Sequence, residues 1–178
     1  MDLKEKQLSA EYVFKGKIIN VRVDDALLPN GATAKREVVE HNGGICIVPI
    51  TEKGEVLMVE QYRYPYEQVV LEIPAGKRDG DELPLDGGKR ELKEETGATA
   101  KNYTFLGELY PTPGYCGEII YMYLATDLSY GETDPDEDEF LTVERYLLPV
   151  FEAMIARGEI VDGKTLSAYT LAKAKGLL

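Results

Sequence analysis

Alternation of apolar and polar residues runs from about Tyr12 to Val23 and again from Thr33 to Glu40, on either side of a loop holding Pro29-Asn30-Gly31. Side chains that change face at every residue suit a half-buried strand, so this region predicts a hairpin of two long strands. More apolar runs follow at Gly44 to Thr51 and Val56 to Tyr64, joined at Lys53-Gly54, and at Gln68 to Ile73. These also read as strands, as do Tyr103 to Glu108 and Ile119 to Thr126. The pattern then changes period. Apolar positions three and four apart predict helices over Pro149 to Arg157 and Lys164 to Lys175.

Between these groups lies a segment of another character, Gly76-Lys77-Arg78-Asp79-Gly80-Asp81-Glu82-Leu83-Pro84-Leu85-Asp86-Gly87-Gly88-Lys89-Arg90-Glu91-Leu92-Lys93-Glu94-Glu95-Thr96-Gly97-Ala98. Pro84 suits the first turn of a helix, where no backbone donor is needed, and Gly97 suits the position just past its end. A helix over 84–96 is therefore predicted. Strands first, then one acidic helix, more strands and terminal helices give an α+β domain with a mixed sheet covered by helices.

On that helix Glu91 and Glu95 are four apart and Glu91 and Glu94 three apart, so their carboxylates share a face and repel one another. An Arg90–Glu94 pair offsets only a few tenths of a kcal/mol of that, roughly. A hard divalent cation would offset more, since Mg²⁺ and Mn²⁺ take carboxylate and carbonyl oxygens. The alternative is a solvated charged face. Gly87-Gly88 argues against a merely solvated helix, because each glycine costs about 0.8–1.0 kcal/mol relative to alanine. Close packing against a neighbouring element would account for them. Glu72-Ile73-Pro74-Ala75-Gly76 ends an apolar strand in a turn, which would bring backbone carbonyls beside the glutamates.

The segment fits the pattern G-x5-E-x7-R-E-U-x-E-E-x-G-U, with U aliphatic or small, through Gly76, Glu82, Arg90, Glu91, Leu92, Glu94, Glu95, Gly97 and Ala98. In this it resembles the Nudix hydrolases. The resemblance implies a mixed sheet between helical layers and Mg²⁺-dependent hydrolysis of a nucleoside diphosphate linked to another group, with Mn²⁺ as a substitute metal. It further implies Glu91 and Glu95 as main metal ligands, joined by Glu94 and the Ala75 carbonyl, with Arg90 and Glu82 orienting the carboxylates. Glu94 and Arg90 thus count among the catalytic candidates, and Gly76, Glu82 and Gly97 as structural positions of the motif.

Other stretches resemble the ADP-ribose pyrophosphatase subfamily: Arg36-Glu37-Val38-Val39-Glu40-His41, Val59-Glu60-Gln61-Tyr62-Arg63-Tyr64, and Leu71-Glu72-Ile73-Pro74-Ala75-Gly76. Pro113, sixteen residues after Gly97, stands where that subfamily carries a proline, in the loop Tyr110-Pro111-Thr112-Pro113-Gly114-Tyr115-Cys116-Gly117-Glu118. Candidate substrate contacts are accordingly Arg63, Tyr62, Glu72, Pro113 and Gly114. A guanidinium such as Arg63 can bond two phosphate or ribose oxygens at once, or be spent in a structural salt bridge. Tyr62, Tyr64 and Tyr66 either wall an adenine or form one packed face.

The single histidine, His41, stands at a strand entry and reads as structural, so a base must be a carboxylate. Family members place the base or a further ligand on a loop before an apolar strand, and Asp134-Pro135-Asp136-Glu137-Asp138-Glu139 fits that place. Glu137 is the expected base and Glu139 an additional metal ligand; such a run is otherwise a solvated loop. The rival substrates are other nucleoside diphosphate sugars such as GDP-mannose. A non-catalytic sensor of ADP-ribose is a further alternative, disfavoured by the intact motif.

Composition narrows the field further. The 178 residues carry 32 acidic against 20 basic side chains, a net charge of −12, which disfavours nucleic-acid polymers and anionic membranes as partners. Two cysteines, Cys46 and Cys116, support neither a disulfide framework nor a zinc site. No apolar signal region or membrane-length run appears, so a cytoplasmic protein is expected. Residues 1–41 read as an N-terminal hairpin region and 42–178 as the hydrolase domain. Hairpin edges need covering, and similar N-terminal sheets in the subfamily exchange between subunits, which implies a homodimer.

Overall fold

The computed structural model describes residues 2–133 and 140–178. The chain divides into two compact units, one made of Met1–Gly43 with Tyr110–Ile119, the other of Gly44–Leu109 with Ile120–Leu178.

In the first unit β1 (Lys6–Lys15), β2 (Ile19–Leu27) and β3 (Thr33–His41) form an antiparallel sheet in that order. The single strand expected over 12–23 is in fact two, broken at Gly16, whose N–H donates to the Ile19 carbonyl at 2.9 Å. The sequence carries the break as a change of phase: Tyr12, Phe14 and Ile18 alternate in one register, Ile19, Val21 and Val23 in the other. The turn at Pro29-Asn30-Gly31 closes as expected, with Gly31 at a φ of 84° and its N–H on the Leu28 carbonyl. β1 is exposed at every position. The loop 110–119 is stitched to β3 by Val39 N–H to the Tyr115 carbonyl and Gly117 N–H to the Val39 carbonyl.

The second unit runs β4 (Gly44–Pro49), β5 (Glu55–Arg63), a 3₁₀ turn at Tyr64–Tyr66, β6 (Gln68–Glu72), β7 (Ala75–Lys77), α1 (Pro84–Thr96), β8 (Ala98–Leu109), β9 (Ile120–Tyr130), β10 (Leu141–Leu147), α2 (Leu148–Ala156) and α3 (Gly163–Ala174). Among the described residues its strands form two sheets. One is four-stranded in the order β7-β4-β9-β8, with β4 and β9 parallel and the other pairs antiparallel; the other is three-stranded, β10-β5-β6. The α+β reading holds, with the strands shared between two sheets. β7, read from sequence as a turn, pairs Ala75 with Cys46 and Gly76 with Ile45.

β4 explains the arrangement. All six of its residues are buried, as befits a strand covered on both faces. Cys46 and Val48 join Met58, Phe151, Met154, Ala168 and Ala172 under α2 and α3, while Ile45 and Ile47 join Leu57, Leu92, Ala98 and Tyr123 under α1. Gly87 and Gly88 set the approach of α1. A Cβ at Gly88 would stand 2.8 Å from Ile47 Cδ1 and 3.0 Å from Ile45 Cγ2, so helix and strand touch where a larger residue would make those side chains shift.

Two opposing terms decide the effect of Gly88→Ala. Helix propensity favours alanine by about 1 kcal/mol, whereas overpacking a filled core costs ~1–3 kcal/mol. Net destabilisation of about 1 kcal/mol is expected, read as a lower urea midpoint at unchanged m-value; a raised midpoint would show that α1 does not rest on β4 this closely.

Candidate active site

α1 begins with Pro84 in its first turn and ends at Gly97, which has a φ of 67° and donates its N–H to the Lys93 carbonyl. A Cβ at Gly97 would lie 2.6 Å from the Gly131 carbonyl oxygen, so glycine is required twice over, by φ and by space. With both ends fixed and Gly87-Gly88 seated on β4, the acidic side of the helix turns toward β7.

There Glu95 is 2% exposed, and its carboxylate accepts the Ala75 N–H at 3.0 Å. Glu91 is 8% exposed, and its carboxylate lies against the backbone of Gly76: a Cβ on Gly76 would fall 1.8 Å from Glu91 Oε1. Gly76 is thus glycine because a carboxylate occupies the place of its side chain.

Arg90 gathers the remaining acids. Its guanidinium donates to Glu91 at 2.9 Å, to Glu94 at 2.8 Å and through two nitrogens to Glu82 at 3.3 Å each, with Asp79 at 3.7 Å. It also reaches the Lys77 carbonyl at 3.4 Å. Burial works to lower the Arg90 pKa, but the hydrogen bonds to Glu82, Glu94 and Glu91 and the charge of Glu91 outweigh it and hold the group above its usual range. Glu82 is held below the usual carboxylate value chiefly by its hydrogen bond from Arg90.

One guanidinium does not balance this set. Glu82, Glu91 and Glu94 bring three carboxylates to the Arg90 guanidinium, with Glu95 beside them on the same helix, and a set of hard oxygen donors is what a divalent cation takes. The donor chemistry therefore fits such an ion. Among the described residues no three His, Cys, Asp or Glu side chains already converge as a ligand group, since the carboxylates are spread around Arg90 and along β7.

A second charged group lies at the end of β6. Glu72, 2% exposed, receives Arg63 in a bidentate pair at 2.5 and 2.6 Å and also bonds the Lys164 ammonium. Burial alone would raise the Glu72 pKa, but the bonds from Arg63 and the charge of Lys164 prevail and lower it. Arg63 is held above its ordinary value by its bond to Glu72, against burial, and then by the charges of Glu72, Asp162 and Glu95.

Of the remaining expected positions, Tyr62 is 54% exposed on β5, and Tyr64 and Tyr66 are also exposed. Pro113 and Gly114 belong to the first unit, where they line a groove of about 310 Å³ with Glu5, Asp24 and Arg36. Glu137 and Glu139 lie outside the described residues. His41 accepts the Gly43 N–H on Nδ1 at 3.0 Å, a structural contact. Sequence reasoning missed Lys164, Asp162 and Thr165. Asp162 before a helical run was legible as a cap, but nothing local pairs Lys164 with a residue 92 positions away.

Residues 40–169 match the NUDIX domain, and residues 5–39 match the nucleoside diphosphate sugar hydrolase N-terminal domain. The chain belongs to the NUDIX family. It is a hydrolase. It is 40% identical to an ADP-ribose pyrophosphatase of Bacillus subtilis (strain 168) over 99% of this chain and 96% of that one. It is 33% identical to a GDP-mannose pyrophosphatase of Yersinia enterocolitica over 86% of each chain. A solved structure titled as an ADP compounds hydrolase superposes with a TM-score of 0.86 at 26% identity, covering all of both chains. Among the described residues no helix is long and apolar enough to cross a membrane.

Proposed function

We propose that this NUDIX hydrolase cleaves the diphosphate of ADP-ribose, adding one water across the P–O–P linkage to release AMP and ribose 5-phosphate. The observation that carries the hydrolytic part is the pairing of Glu91 and Glu94 with one arginine, beside a Glu95 bonded to β7, on a helix pressed against that strand. The substrate part is supported by the likeness to an ADP-ribose pyrophosphatase along nearly the whole chain. A second reading, another nucleoside diphosphate sugar, is supported by the GDP-mannose pyrophosphatase likeness.

Glu91, Glu94 and Glu95, with the Ala75 carbonyl, would hold Mg²⁺, or Mn²⁺ in its place, and Glu139 would add a ligand. When bound, the ion neutralises charge on the diphosphate oxygens and makes a coordinated water more acidic. The chain's own groups do the rest. Arg90 and Glu82 fix the directions of the motif carboxylates, Gly76 leaves room for that of Glu91, and Glu137 takes the proton from the attacking water. Arg63, held by Glu72, presents its guanidinium to the diphosphate or terminal ribose, while Tyr62 contacts the rest of the substrate.

Product analysis separates the two substrate readings. ADP-ribose, GDP-mannose, NADH, diadenosine polyphosphates and 8-oxo-dGTP are offered at equal concentration, with Mg²⁺ or with a chelator. The expected result is metal-dependent AMP release, fastest from ADP-ribose. Fastest turnover of GDP-mannose would favour the second reading, and ADP-ribose binding without turnover of any compound would favour a sensor.

We further propose a homodimer built through the N-terminal sheet. β1 exposes all ten of its residues, including Leu8, Tyr12, Val13 and Phe14, an apolar load that a second copy would cover. Sedimentation should give twice the chain mass for the full chain; a concentration-independent monomer would contradict it.

A further inference from the structure

Glu72 is a buried carboxylate at 2% exposure with a cation on either side. Arg63 reaches it from β5 and remains 39% exposed, whereas Lys164, with its side chain 12% exposed, reaches it from the first turn of α3. That turn is fixed independently of Lys164. Asp162 caps α3 by accepting the Thr165 N–H at 3.0 Å and the Thr165 hydroxyl at 2.6 Å, and the same hydroxyl accepts the Ile73 N–H at 2.9 Å. Thr165 is fully buried. Asp162 also bonds Lys164 at 3.0 Å, so the ammonium sits between two carboxylates. The start of α3 is thereby tied at adjacent residues to the strand end that leads into Ala75 and Gly76, by backbone at Ile73 and by charge at Glu72.

We propose that Lys164 is a positioning residue for the substrate, acting through Glu72 to hold the guanidinium of Arg63 in one orientation. The inference rests on the assignment of Arg63 to substrate binding made above. Its physical basis is the geometry of a fork-to-fork pair. Glu72 can present both oxygens to Arg63 only while its own plane is fixed, and the strand alone does not fix it, because the terminal torsion of a glutamate has a broad, roughly two-fold preference. Lys164 bonds the same oxygen, Oε2, that receives Arg63 Nη2, and so locks that plane from the interior. The exposed face of Arg63 is left for an anionic ligand. A lysine at this place also offsets part of the charge of Glu72, which would otherwise cancel Arg63 in the field felt by a diphosphate.

The test is steady-state hydrolysis of ADP-ribose by the full chain as wild type, Lys164→Met, Lys164→Arg, Arg63→Ala and the Lys164→Met/Arg63→Ala double variant. Each is normalised to folded protein by its unfolding transition. Losing a charge-assisted contact is expected to raise KM about tenfold or more in Arg63→Ala and in Lys164→Met, with kcat changed less. Lys164→Arg should recover most of the loss. The double variant should be no worse than Arg63→Ala, because both changes remove the same grip. Wild-type KM in Lys164→Met, beside a raised KM in Arg63→Ala, would overturn the role of Lys164 while leaving Arg63 its own. Multiplicative losses in the double variant would overturn it as well. Wild-type KM in Arg63→Ala would overturn both this inference and the Arg63 assignment. Should Lys164→Met fail to fold, Lys164→Gln decides: its KM must rise several-fold, and a wild-type KM in that variant would overturn the role of Lys164.

Discussion

Everything at the motif depends on how closely α1 can lie against the strands beneath it. Charge alone would drive the glutamates of this helix outward into water, where a carboxylate is best solvated. The absence of side chains at Gly87 and Gly88 lets the helix settle onto Ile45 and Ile47, and the absence of one at Gly76 leaves a space that the Glu91 carboxylate fills. Leu92, fully buried beneath the same helix, supplies apolar burial that helps keep it there. Glu91 and Glu95 are consequently carried inward by packing rather than by their own preference. The result is a surplus of negative charge held in fixed positions around Arg90.

The same logic recurs at Glu72, with the opposite balance. Its carboxylate is as deeply buried as that of Glu95, yet it is met by two cations, Arg63 and Lys164. A buried charge that lost one of these would cost several kcal/mol, roughly 3–5 in comparable pairs. Two carboxylate groups thus flank the segment from Glu72 to Gly76, Glu72 held by two cations and the motif glutamates of α1 gathered beside Arg90 and β7. A carboxylate met by two cations suits holding a side chain in place, and several carboxylates gathered on one helix face suit hard oxygen coordination.

Legibility in the sequence followed the range of the interactions. α1 was predicted at its observed bounds because Pro84 and Gly97 are local signals, the one setting φ and the other tolerating φ > 0. The turn at Pro29-Asn30-Gly31 was legible for the same reason. The break at Gly16 was overlooked because alternation resumes at Ile18 beyond Lys15-Gly16-Lys17, although its phase changes there. β7 was read as a turn since three residues containing a glycine carry no strand period; only its pairing with β4 makes it a strand. Within the site, the spacing of Glu91, Glu94 and Glu95 announced one shared face, but the salt bridge that was one of the two possibilities for Arg63 could be seen only with Glu72 beside it. Lys164 gave no signal at all, because its partner is set by tertiary packing of α3 against the end of β6.

The central claim is that the inward-held carboxylates of α1 are the catalytic machinery of a diphosphate hydrolase. Glu95→Gln tests it most directly, since it keeps the shape of the side chain and an oxygen to accept the Ala75 N–H while removing the charge. Turnover of ADP-ribose should fall by about 10³-fold or more at saturating Mg²⁺, with an unfolding midpoint close to that of the wild type. Retained turnover in a protein of unchanged stability would contradict the claim.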